Sequence, residues 1–136
     1  MITTQDVSWN EIESLVEKLS KNILNLSKNF SSITTISRGG LVPSRLLADS
    51  LGIEVILVDQ NFISSDSLFV DDIFDTGNTF ENIILNVDNP SKFVFATLFA
   101  RRGMKYPKQL VYAEKTFDDS YVVFPWDKLE FIQSLK

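Results

Sequence analysis

The chain has 136 residues, 44% hydrophobic and 23% charged, with a formal net charge of −5 and neither cysteine nor histidine. A chain of this length buries roughly two thirds of the surface it exposes when unfolded, so we expect a single domain over residues 1–136. The composition excludes disulfides, thiolate chemistry and Ser-His catalysis and argues strongly against zinc, and its acidic balance argues against a nucleic-acid partner, which needs clustered Lys and Arg. The N-terminal segment lacks a basic stretch leading into an apolar run, and nothing approaches the roughly 18 apolar residues of a membrane span. No membrane partner is expected, and the location expected is cytoplasmic.

In chain order, Ser8 and Glu11 of "SWNEIESLVEKLSKNIL" match a capping box, and Ile12, Leu15, Val16, Leu19 and Ile23 follow at helical spacing. "ITTIS" (Ile33 to Ser37) reads as a short strand. "VPSRLLADSLG" then reads as a helix with Pro43 near its start and Gly52 just past its end. "IEVILVD" (Ile53 to Asp59) and "LFVDD" are the next strands, and "NTFENIILN" is a short helix beginning near Asn78 or Thr79. "KFVFATLFA" (Lys92 to Ala100) is apolar nearly throughout, as a strand covered on both faces should be. "QLVYAEKT" and "SYVVF" are shorter strand candidates, and "PWDKLEFIQSL" is a closing helix. Alternating strands and helices predict an α/β fold in three layers, a mainly parallel sheet flanked by helices. The C-terminal pieces either extend one sheet edge or form a small separate region.

Two glycine-bearing loops follow strands, where open α/β sheets bind their ligands. In the second, "DTGNT" (Asp75 to Thr79), Gly77 allows close approach of the backbone, Thr76 and Thr79 offer hydroxyls, and the loop meets a helix start. A monophosphate fits such a loop. In the first, "SRGG" (Ser37 to Gly40), a guanidinium stands beside two glycines that can form a nest for a second anion. Asp71 and Asp72 suit sugar hydroxyls and a magnesium ion, a hard cation that prefers carboxylate oxygens and water. Phosphate at one end, diol and metal in the middle and a second anion opposite describe a phosphorylated ribose.

These residues carry a resemblance. "LFVDDIFDTGNT" resembles the 5-phosphoribosyl-1-pyrophosphate (PRPP) motif of type I phosphoribosyltransferases, and "ITTISRGGLVPSRLLADSLG" resembles their pyrophosphate loop. The tail "YAEKTFDDSYVVFPWD" is similar to the base-binding end of the small 6-oxopurine enzymes, the xanthine-guanine and archaeal-type hypoxanthine transferases. The PRPP motif is the most specific of the three, because its apolar run, acid pair, third acid and Thr-Gly-x-Thr occur in fixed order. The resemblance implies a type I phosphoribosyltransferase-like fold with a small hood-like base-binding region at the C-terminal end. It also implies transfer of ribose 5-phosphate from PRPP to hypoxanthine, guanine or xanthine in purine salvage, with Mg2+ as cofactor.

The resemblance implies roles residue by residue. Asp75, Thr76, Gly77, Asn78 and Thr79 would hold the 5′-phosphate, and Asp75 would also exchange a proton with the base; its alternative role is a helix cap. Asp71 and Asp72 would serve the ribose hydroxyls and the metal. Ser37, Arg38 and Gly39 would contact pyrophosphate, with a non-proline cis peptide next to Arg38; the alternative is an ordinary turn with Arg38 solvated. Tyr121 would stack on the purine, or else pack in the core, and the Val122 backbone would read the base edge. Arg101 would meet the 6-oxo group, with Arg102 the other choice and a solvated turn the alternative for both. Asp127 would approach pyrophosphate-bound magnesium, or else act as a helix N-terminal acid. Trp9 and Trp126 read as packing residues. PRPP and a purine base or nucleoside monophosphate are the expected partners, along with further copies of the chain in a dimer or tetramer.

The family carries a long, mobile, often basic loop ahead of the PRPP strand, and here only "QNFISSDS" (Gln60 to Ser67) stands in its place. Lids exclude water and complete active sites. Weak catalysis, a lid from a partner subunit or from "RRGMKYPKQ", or a noncatalytic nucleotide-binding or PRPP-binding regulatory module would each follow. Haloacid dehalogenase-type phosphatases need Asp-x-Asp, whereas these acids are adjacent or three apart. A Walker loop fails for want of Gly-Lys-Ser/Thr. A receiver domain would draw its acids from separate strands and leave "SRGG" unexplained.

Overall fold

The computed structural model describes residues 3–127. Five strands form one sheet in the order β3 (Ile56–Val58), β2 (Ser32–Thr35), β4 (Ser67–Phe74), β5 (Val94–Ala100), β6 (Leu110–Lys115), and every pairing in it is parallel. A parallel sheet needs crossovers that cover its faces. Helices α1 (Trp9–Leu24) and α2 (Leu41–Leu51) lie on one face, over Ile33, Leu68, Val70, Ala96 and Leu98. Helix α3 (Asn78–Ile84) lies on the other, over Phe69, Phe93 and Phe95. Alternation along β4 therefore divides Leu68 and Val70 from Phe69, and the fold is three-layered as expected.

Local sequence chemistry sets the helix ends. The Ser8 hydroxyl accepts from the Glu11 amide at 3.1 Å and the Ser8 amide donates back to the Glu11 carboxylate at 3.3 Å, the reciprocal pair of a capping box. Helix α2 stops at Gly52, whose φ of 71° places it in the left-handed region.

Three expectations change. Strand β4 does not end at the acid pair but continues to Phe74, because Asp71, Ile73 and Phe74 pair with Thr97, Phe99 and Ala100 of β5. Strand β3 is shorter than Ile53 to Asp59, spanning Ile56–Val58 at an open edge. A strand with no sequence signal, β1 (Thr4–Asp6), pairs in parallel with β7 (Tyr121–Val123) as a separate two-stranded sheet. Thus β6 extends the main sheet while β7 joins a small second one, which divides the two alternatives open for the C-terminal strands. The expected closing helix is described only as a 3-10 turn at Pro125–Asp127; residues 128–136 lie outside the described residues. Trp126 stacks on Phe124 with centroids 4.9 Å apart and meets Trp9 at 5.8 Å, the packing role expected of both tryptophans.

Candidate active site

At the carboxyl edge of β4 the chain leaves the sheet through Asp75, Thr76 and Gly77 before α3 begins. Gly77 has φ 89°, and a Cβ there would sit 3.2 Å from the Phe74 ring. The turn thus needs a glycine both for its left-handed backbone and for the aromatic floor beneath it. The Thr76 hydroxyl accepts from the Asn78 amide at 3.3 Å, and the Gly77 carbonyl starts the helix by accepting from Glu81 at 2.9 Å. Among the described residues no partner takes the amides of Gly77 and Thr79. They remain available to an anion. Residues 71–80 and Phe95 line a hollow of about 170 Å³ here, against the roughly 10–15 Å³ that one water needs.

Behind the turn stands the acid pair. Asp71 is buried and accepts from the Asp72 amide at 2.9 Å; Asp72 is partly buried and accepts from the Ile73 amide at 2.7 Å. Burial raises the Asp71 pKa above the ordinary carboxylate value. Burial first, and then the neighbouring Asp71 charge, hold Asp72 well above it. Two desolvated carboxylates, with oxygen as their donor atom and no Lys or Arg paired to them among the described residues, fit a hard divalent cation. Asp127 is the third acid expected near the metal. It lies in the turn after β7, outside the lining of this hollow, and no three metal-ligating side chains converge among the described residues.

The first glycine loop reaches the same place from β2. A Cβ on Gly39 would stand 2.9 Å from Asp72 Oδ2, so the loop backbone lies directly against that carboxylate. A Cβ on Gly40 would meet the Thr35 hydroxyl and come within 2.7 Å of the Val70 carbonyl, the two groups joined by a 2.6 Å hydrogen bond. The Ser37–Arg38 peptide is cis, as expected. Asp59, which no motif singled out, anchors the loop by accepting from the Ser37 amide at 2.9 Å and its hydroxyl at 2.6 Å. Those bonds hold the Asp59 pKa below its ordinary value. Only a contact between residues 22 positions apart reveals Asp59, which is why the sequence hid it.

On the far side of Asp75 a second hollow is lined by Thr3, Asp75, Arg101, Asp119 and Tyr121. The Asp75 side chain is 54% exposed and Arg101 is 12% exposed; Arg101 Nε donates to Asp75 Oδ1 at 2.9 Å. The structure separates the two arginines. Arg101 faces this hollow, whereas Arg102 is bound to Thr116, with Nε donating to its carbonyl at 2.9 Å. Tyr121 is 47% exposed at the hollow, so it is not a core aromatic. The Tyr121 amide donates to Thr3 and the Val123 carbonyl accepts from Val7. By strand alternation the Val122 N–H and C=O point away from β1.

A parallel sheet with a glycine loop bearing a cis Ser37–Arg38 peptide and an acid-pair loop meeting at its carboxyl edge, and a small second sheet, give the chain a phosphoribosyltransferase-like fold. No protein-family model matches the chain. Its sequence is similar to that of the xanthine-guanine phosphoribosyltransferase of Desulfotalea psychrophila, 28% identical over 145 residues covering 91% of this chain and 86% of the relative. Its fold is similar to that of the Helicobacter pylori xanthine-guanine-hypoxanthine phosphoribosyltransferase, with a TM-score of 0.74 at 17% identity over 96% of this chain and 99% of the other. A purine phosphoribosyltransferase from Pyrococcus horikoshii Ot3 gives a TM-score of 0.71 at 21% identity over 92% and 94%. The resemblance read from the three motifs thus extends along nearly the whole chain.

Proposed function

We propose that the chain transfers the ribose 5-phosphate group of PRPP to a 6-oxopurine base and releases pyrophosphate. The observation that carries this reading is the placement of the acid pair and Asp75 between two different recesses, a glycine loop against Asp72 and an aromatic-bearing hollow beside Asp75. In this reading Asp75, Thr76, Gly77, Asn78 and Thr79 hold the 5′-phosphate. Ser37, Arg38 and Gly39 meet pyrophosphate, and Arg101, Tyr121 and Val122 form the base end.

Asp71 and Asp72 would hold Mg2+ and face the ribose hydroxyls. The ion's charge would stabilise the departing pyrophosphate. The C1–pyrophosphate bond breaks with its electron pair leaving on oxygen, a base nitrogen bonds to C1, and the proton of that nitrogen passes to Asp75. Catalysis of this kind rests on positioning and fixed charge. The 28% identical relative is named for xanthine and guanine, which supports a purine acceptor.

Turnover of PRPP with Mg2+ and hypoxanthine, guanine or xanthine tests the reading. Nucleotide should form, and Asp75→Asn should reduce kcat by about 100-fold or more, the scale of a general base. Binding of PRPP without any turnover would instead mark a noncatalytic module.

A further inference from the structure

Arg101 stands where three segments cross. Its amide donates to the Phe74 carbonyl at 2.7 Å, and its own carbonyl accepts from the Tyr106 hydroxyl at 2.7 Å, so the backbone is bolted to β4 and to the β5–β6 crossover. Its guanidinium is as fully engaged. Nε and Nη2 reach the two Asp75 oxygens at 2.9 and 3.4 Å, and Nη1 donates to the Asp118 carbonyl at 3.0 Å and the Ser120 carbonyl at 2.8 Å.

A guanidinium offers five N–H donors in one rigid plane. Four are used here, two on each side. The loop that receives Nη1 is also tied to the N-terminal segment, through the Ser120 and Thr3 hydroxyls at 3.1 Å and Phe117 to Gln5 at 3.0 Å, to itself, through Ser120 to the Asp118 carboxylate at 2.8 Å, and to Thr116, whose hydroxyl donates to the Asp118 carbonyl at 3.2 Å and whose amide donates to Ala100 at 3.0 Å. Among the described residues, its hydrogen-bonded tie to Asp75 runs through Arg101. That loop leads directly into Tyr121.

Building on the function proposed above, we infer that Arg101 is a positioning residue and not the reader of the base oxygen. Its planar fork fixes the 118–120 loop, and with it the Tyr121 ring, at a set distance from the Asp75 carboxylate, and this sets the width of the base hollow. A residue that only donated to a 6-oxo group would need one N–H, which a lysine ammonium supplies as well. The plane that joins a carboxylate to two carbonyls needs arginine.

Calorimetric titration of wild type and Arg101→Lys, with Mg2+ present, tests this using three ligands: inosine 5′-monophosphate, purine riboside 5′-monophosphate, which lacks the 6-oxo group, and PRPP. We expect Arg101→Lys to weaken both nucleotides by the same factor, about tenfold or more, and to leave PRPP within about twofold. Asp118→Ala, which frees the loop without touching Asp75 or the base, should give the same pattern. That variant carries the test if Arg101→Lys does not fold. A loss confined to inosine monophosphate would show Arg101 reading the oxygen and overturn the inference. An equal loss of PRPP would show a merely structural role and overturn it as well. Failure of wild type to bind any of the three would refute the proposed function itself, whereas either other failure leaves that function standing.

Discussion

Asp72 and Gly39 are matched at the scale of single atoms. The glycine has no Cβ because a carboxylate oxygen occupies the space 2.9 Å from where one would be. Gly39→Ala should therefore displace the Asp72 carboxylate and weaken PRPP binding in the presence of Mg2+ by about tenfold, while melting temperature changes little because the displaced group is a side-chain terminus. Titration calorimetry checks the first and a thermal melt the second. The acid pair also gives a pH signature. Its carboxyls titrate higher in the folded chain than in the unfolded one, so the folded state binds protons more tightly. Their contribution to stability is full below the ordinary carboxylate value, near 3.8, and is lost as pH rises through the raised folded values. Melting curves of the metal-free protein should show this slope. Asp72→Asn should flatten it and raise the melting temperature at pH 7, while weakening Mg2+-dependent PRPP binding; a melting temperature lowered by this change would contradict the account.

Elements place these atoms through the aromatic layer under α3. Phe95 is buried, stacks on Phe69 with centroids 5.2 Å apart, and meets Phe74 and Phe80 edge to face. It also floors the hollow beside Gly77. Phe95→Ala should cost about 3–5 kcal/mol and lower the melting temperature by roughly 10–20 °C, measured by calorimetry. The same layer explains why β4 runs past its two acids. Phe74 must reach the Phe95 and Tyr106 rings, and that demand carries the ladder through Asp71 and Asp72 despite their poor strand propensity.

At the scale of the molecule, the segment joining β3 to β4 is pinned to the body of the protein. Ile63 is buried and bridges Val87, Ser65 donates to Asp88 at 2.8 Å, and Lys28 caps the Ser65 carbonyl at 2.8 Å. The other proposed lid, 101–109, is the β5–β6 crossover, with Tyr106 held against Phe74, Tyr112 and Arg101. Neither segment lines the hollow beside the acid pair. Water then reaches the reacting carbon more readily than under a closed lid. We expect detectable hydrolysis of PRPP in the absence of any base, measured as pyrophosphate release, and its suppression when a purine fills the second hollow.

The sequence alone was enough for whatever depends on near neighbours. The capping box at Ser8, the left-handed stop at Gly52, the glycine turn at 77 and the adjacent acids are decided within a few residues, so spacing and residue type reveal them. Motif order disclosed the two loops for the same reason, whereas the cis peptide was expected only from the resemblance to phosphoribosyltransferases. Only the tertiary structure could pair three residues at Thr4–Asp6 with three at Tyr121–Val123, distinguish Arg101 from Arg102 and anchor Ser37 on Asp59. Each of these joins or separates groups far apart along the chain. Their energies arise from burial and from hydrogen bonds that exist only after the sheet has assembled, and no local propensity carries a trace of them.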